Sequence, residues 1–177
     1  ISFNKIAAIG ASNFALIAIT IVLVLLLTVY LAKKLNCPTE GGWLVGFGTA
    51  ICGSSAIAAL APSVTKNTED TGIAIAIVNL LGSIGMVIMP FVLKYFEVSD
   101  LDSSVYIGAS LHSVGNVMGA GFGMDNPAIG ANALTIKMAR VALLTPAIIF
   151  FNILVQAGKK RSFASYFKLP IYLWAFI

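Results

Sequence analysis

Apolar residues fall along this chain in blocks about as long as a bilayer is thick, separated by short polar links. A membrane-spanning helix needs roughly 20 mostly apolar residues. Six blocks approach that length, at 14–32, 41–61, 72–93, 105–123, 133–157 and 169–177, the last of them truncated. The strict apolar–polar alternation of a membrane barrel is absent, so the pattern predicts helices. The fold class expected is all-α: a single polytopic transmembrane domain over residues 1–177, read as the C-terminal part of a longer chain.

The first block, Phe14 to Ala32, is uninterrupted and stops at Lys33 and Lys34. The second and fourth are different. The second carries Gly41, Gly42, Gly46, Gly48 and Gly53 and a polar centre of Cys52, Gly53, Ser54 and Ser55. The fourth surrounds Ser110, His112, Ser113 and Asn116 with Gly108, Gly115, Gly119, Gly121 and Gly123. Glycine eases non-helical backbone, and hydroxyls can satisfy the amides that a break releases. Unwound backbone at membrane depth persists only where it is buried or lines a cavity. Both blocks are therefore predicted to be broken helices at a solute or ion site, with half-helix N-termini offering partial positive charge to an anion. Close packing through small residues is the simpler use of the glycines, but it does not need the clustered polar groups. Pro62 and Pro90 are expected to end the second and third helices, and Pro146 to kink the fifth.

Charge is scarce, and its placement matters more than its sum. Charged residues make up 10% of the chain and hydrophobic ones 59%, against about 25% charged in an average soluble domain. A soluble enzyme and a disordered chain are excluded. The net charge of +4 does not indicate nucleic acid, because the basic residues sit at block ends rather than along one stripe. Cys37 and Cys52 are too few for a disulfide framework.

If every block crosses the membrane, Lys33, Lys34, Lys94, Lys159, Lys160, Arg161 and Lys168 share one side, and Lys5 and Lys66 the other. The positive-inside bias then places the KK, KYFEVSDLD and KKR segments in the cytoplasm of a cell inner membrane, with TKNTED and GMDNPAIG outside. In that scheme the two broken blocks run the same way, so they cannot be each other's inverted mates.

Lys137 and Arg140 are left over inside the fifth block. Three apart, they share a helix face. Counted from Ala133, they lie about 6 and 10 Å deep. Lys137 is expected to snorkel to the outer interface; Arg140 reads as a fixed cation for an anionic solute or a structural carboxylate partner. His112 could carry a proton or be a hydrogen-bonded structural residue. With Cys52 it offers a nucleophile and a base, but no orienting group accompanies them, so no enzyme is expected. No Asp or Glu lies in the interior of a block, which argues against a proton relay.

The run GTAICGSSAIAALAPSV, Gly48 to Val64, resembles the signature of the YeiH family of bacterial membrane proteins, which carry the label sulfate exporter. Glu69 and Asp70, then YIGASLHSVGNVMGAGF, and LTIKMARVALLTP with Lys137, Arg140, Val141, Leu143 and Pro146, continue the likeness. KLPIYLWAFI resembles the opening of the family's final helix. Ser113 and Asn116 stand where the family usually shows an acidic residue and a glutamine. The resemblance implies about ten helices in two inverted repeats with crossed, broken helices, of the sodium–proton antiporter and bile-acid transporter type.

The expectation is a fragment of an inverted-repeat secondary transporter that moves a small anion, such as sulfate or an organic anion, by alternating access. Its candidate site holds Thr49, Cys52, Gly53, Ser54, Ser55, Asn79, His112, Ser113, Asn116, Lys137 and Arg140. No cofactor or metal is expected, although Na+ or H+ could couple transport. The partners expected are the bilayer and the solute, with a homodimer left open. A passive anion channel and a non-transporting scaffold or sensor are the alternatives.

Overall fold

Long apolar blocks become long helices and the two glycine-rich blocks become pairs of half-length helices in the computed structural model, which describes residues 10–156. The order is α1 Gly10–Lys34, α2 Thr39–Ala50, α3 Ser54–Val64, α4 Thr68–Tyr95, α5 Asp100–Ser110, α6 Val114–Phe122, α7 Pro127–Ala142 and α8 Leu144–Gln156. The sixth block, at 169–177, and Lys5, Lys159, Lys160, Arg161 and Lys168 lie outside the described residues. Among the described residues, three stretches are long and apolar enough to cross a membrane: Ile17–Lys34, Thr68–Tyr95 and Pro127–Ile149.

The helix starts follow capping chemistry. Asn67 accepts the Glu69 amide at the head of α4, and Asn126 accepts the Ala128 amide at the head of α7, where Pro127 opens the helix. Ser99 caps α5 and Ser113 caps α6. Each cap supplies an acceptor to one of the amides a helix start leaves free. Two of the expected proline stops do not occur. Pro62 lies inside α3 and Pro90 inside α4. Each proline sits within the last two turns, where the helix loses one backbone bond near its end instead of in its middle. Pro146 does mark an interruption. Its ring faces the carbonyl four residues back, and the helix breaks at Leu143, between α7 and α8.

The largest correction concerns direction. Lys94 and Asp125 form an ion pair at 2.8 Å, and the Asn126 side chain donates to Asp100 at 2.7 Å. The residues after α6 therefore return to the face on which α4 ends and α5 begins. Contacts along α4 agree: Cβ atoms at Gly85 and Gly119 would meet Leu111 and Met86, so α5 rises along α7 until Leu111 reaches α4, and α6 descends beside α4. The block 105–123 does not run straight through the fold; it turns back as a hairpin of two half-helices.

The block 41–61 does the same from the opposite face. Trp43 and Phe47 of α2 meet the Phe151 ring edge to face at 4.8 and 5.3 Å. Phe151 lies about 36 Å along the helix from Pro127, hence near the face opposite Lys94. A Cβ on Gly48 would sit 2.7 Å from Ile57, so α3 folds back along α2. The KK and TKNTED segments therefore share one face, and KYFEVSDLD and GMDNPAIG share the other. Hydropathy measures the length of an apolar block, which is similar for a straight crossing and for a hairpin of two half-helices.

Hairpin α2–α3 with α4, and hairpin α5–α6 with α7–α8, are thus two like units entering from opposite faces. Both long helices start from an asparagine cap, fourteen residues after Gly53 and thirteen after Ser113. The two broken blocks, expected to run the same way, thus enter the fold in opposite directions. The first hairpin centres one core on Leu44, Ile51, Ile57 and Leu60, and the second centres another on Ile107, Val117 and Ala133.

This topology predicts accessibility. In the intact protein, with Cys37 replaced by Ser, cysteines at Lys94 and Asp125 should react with an impermeant thiol reagent from the same side, and a cysteine at Lys66 from the other. Joint labelling at 66 and 125 would restore four straight crossings and refute the hairpins.

Candidate functional site

The two hairpin tips meet. A Cβ on Gly53 would lie 3.6 Å from the His112 carbonyl and 3.6 Å from the Ser113 Cβ. The breaks fall at residues 51–53 and 111–113, so each hairpin brings one half-helix C-terminus and one half-helix N-terminus to the centre. Every such end carries backbone groups that the helix itself cannot satisfy.

The first tip closes with its own chain. The Gly53 amide donates to the Gly48 carbonyl at 2.8 Å and the Ile51 amide to Phe47 at 3.1 Å. Gly53 does this at φ +75° and ψ −134°, a region open essentially to glycine alone. Gly53 has no side chain with which to cap α3. The buried Cys52 sulfur takes that place: Ser55 Oγ donates to it at 3.1 Å and to the Cys52 carbonyl at 3.2 Å, and the Ala56 amide faces it.

The second tip is closed from outside. Lys137 Nζ donates to the Leu111 carbonyl at 2.5 Å, and Arg140 Nη1 donates to the Ala109 carbonyl. Two cations thus bind the C-terminal carbonyls of α5, where the helix dipole is negative, a pairing worth up to about 2 kcal/mol in partly buried geometries. Lys137 is fully buried and Arg140 is 4% exposed. The expected snorkelling of Lys137 does not occur. The depth had been counted from Ala133, whereas α7 starts at Pro127, which places Lys137 about 15 Å in. Close packing seats α7 here: Cβ atoms on Gly108 and Gly121 would meet Ala133 and Gly130 at 2.6 and 2.7 Å.

The remaining candidates divide. His112 is half-buried, and its Nδ1 is buried without a hydrogen-bond partner. Ser113 Oγ accepts the Asn116 amide at 3.1 Å, and the Asn116 side chain packs on Gly82 of α4. Cys52 and His112 both lie within electrostatic reach of Lys137 and Arg140, so residues of both tips surround the two cations. Thr49 and Ser54 are half-buried at the first break and Ser55 is exposed there. Asn79 is not brought in; it is exposed on α4, and no hydrogen bond joins it to either break.

Two groups escaped the sequence reading, the carbonyls of Ala109 and Leu111, because backbone acceptors have no residue signature. Lys137 and Val78 each lie eleven residues beyond the asparagine cap of their long helix. Val78 packs against Gly48, a turn before the first break. The like units therefore place an apolar residue and a cation at matching points.

This arrangement of re-entrant hairpins and crossing helices defines a helical membrane protein with a polar, cationic centre. The whole chain, residues 1–177, matches the family model described as Conserved hypothetical protein 698, and the chain belongs to that family, the UPF0324 or YeiH membrane proteins. It is 32% identical over 160 residues to the UPF0324 membrane protein TauZ of Paracoccus denitrificans, covering 89% of this chain and 47% of that protein. A UPF0324 membrane protein of Shewanella oneidensis is 35% identical over 160 residues, 89% and 50% of the two chains. UPF0324 membrane protein VP0936 of Vibrio parahaemolyticus is 28% identical over 174 residues, 98% and 56%. The chain spans about half the length of these relatives. No solved structure matches it.

Removing either closure should destabilise the fold. Lys137→Met leaves the Leu111 carbonyl buried and unpaired, at a cost of about 1–3 kcal/mol. Gly53→Ala forces a side chain into a glycine-only conformation, at a similar cost of about 1–3 kcal/mol. Thermal unfolding in detergent measures both, and an unchanged midpoint for Lys137→Met would remove the lysine from its role as a cap.

Proposed function

We propose that this protein is a secondary transporter, moving a small anion such as sulfate or an organic anion by alternating access. The single observation that carries this reading is that Lys137 and Arg140 are buried with no carboxylate paired to either among the described residues. An uncompensated buried charge costs several kcal/mol. Each carbonyl takes one donor, whereas lysine has three and arginine five. The spare donors, with the half-helix N-termini of α3 and α6, favour an anion between the tips.

Hairpins entering from opposite faces supply the second requirement. A solute at their junction is covered by one half-length hairpin on each side, so a shift of either tip opens the site to one face only. The work is transport rather than chemistry, driven by a Na+ or H+ gradient. Among the described residues, Lys33, Lys34 and Lys66 lie on one face with Glu40, Glu69 and Asp70, and Lys94 lies on the other with Glu97, Asp100, Asp102 and Asp125. The positive-inside rule assigns the first face to the cytoplasm of the inner membrane.

Proteoliposomes containing the full-length protein should take up a labelled anion from a panel in response to an imposed Na+ or H+ gradient. Arg140→Ala should lower the rate at least tenfold, the loss expected when a charge-assisted contact to the solute disappears. His112→Ala should reduce it less. Equal rates in the wild type and Arg140→Ala, in variants that remain folded, would rule out the site.

A further inference from the structure

An apolar cavity of about 440 Å³ lies between α1, α2 and α8. Leu143 and Ala147, three and seven residues beyond Arg140, line it, as does Ile51, next to Cys52. The α5 half-helix packs along α7 as far as its own C-terminus, where Arg140 binds Ala109, and the lining of the cavity starts three residues later, at Leu143. Trp43, Phe47 and Phe151 form part of the wall, and every other lining residue is aliphatic.

We propose that this cavity receives the apolar part of an amphipathic organic anion whose charged head is held at Arg140. The proposal rests on the anion reading above and narrows it. A volume of this size falls in the range of small-molecule sites, roughly 300–1,000 Å³, whose walls are mainly apolar and aromatic with a few polar groups to fix orientation. An inorganic oxyanion would find no donor along such a wall. A carboxylate with a hydrocarbon tail uses both parts: the head meets the cations at the break, and the tail runs along α8 from Leu143 toward Phe151. A lipid tail or a neighbouring helix would fill the cavity equally well but has no use for the charge at its end.

The test is binding of straight-chain carboxylates from acetate to octanoate to the full-length protein, with octanol as the uncharged control. Affinity should rise about threefold to fourfold for each added methylene, which corresponds to about 0.8 kcal/mol per buried methylene. Octanol should bind at least tenfold more weakly than octanoate. Ala147→Leu, which fills the cavity, should flatten the series. Arg140→Gln should weaken every member, and Arg140→Lys should restore most of the loss. A flat wild-type series in which binding still depends on Arg140 overturns the tail site and leaves the anion reading standing. A series that rises with length but ignores Arg140, or equal binding of octanol, overturns both and identifies a groove for lipid or another helix.

Discussion

In hydrocarbon every backbone polar group must find a partner within the protein, and this fold contains two places where a helix stops halfway through. Each stop leaves carbonyls on one side and amides on the other. The first stop satisfies itself, by a glycine turn in a conformation other residues avoid and by a cysteine sulfur at the head of the next helix. The second borrows a lysine and an arginine from a neighbouring helix. Both charged side chains are held at the centre of the molecule by this need.

The sequence was legible to different depths for different features. Both interruptions could be read, because glycine clusters and hydroxyls inside an apolar block have few other uses. Their course through the membrane could not. A half-helix that turns back and one that continues present the same apolar length, and the deciding contacts, Lys94 with Asp125 and Phe151 with Trp43, join residues far apart in the chain. Lysine counting was affected in turn: it took each broken block as a straight run, whereas both turn back as hairpins, which exchanges the faces of the fold on which Lys66 and Lys94 lie. Lys137 was misplaced because an apolar pattern marks where a helix enters hydrocarbon, whereas Asn126 and Pro127 mark where it begins.

The two like units are alike in path and unlike in chemistry. Each sends a hairpin to the centre and follows it with a long helix that passes the tip at the same register. Val78 sits at that register in one and Lys137 in the other. A packing contact in the first unit thus corresponds to a charge-assisted hydrogen bond in the second, and all the cationic character of the centre comes from one unit. The exposed ion pair at the base of the second hairpin, with side chains 48% and 85% accessible, adds little stability. Its value lies in register, because it sets where α7 starts and so how deep Lys137 and Arg140 reach.

The borrowed closure also has a consequence for biosynthesis. The Leu111 and Ala109 carbonyls must wait for residues 26 and 31 positions later in the chain. A hairpin leaving the ribosome with its tip unsatisfied cannot settle into lipid alone. It must be held at the insertion machinery, or stay near water, until α7 has been made. The first hairpin carries its own closure and meets no such delay. The order of synthesis therefore makes the arrival of α7, and with it the two cations, the step that commits the second half of the molecule to the membrane.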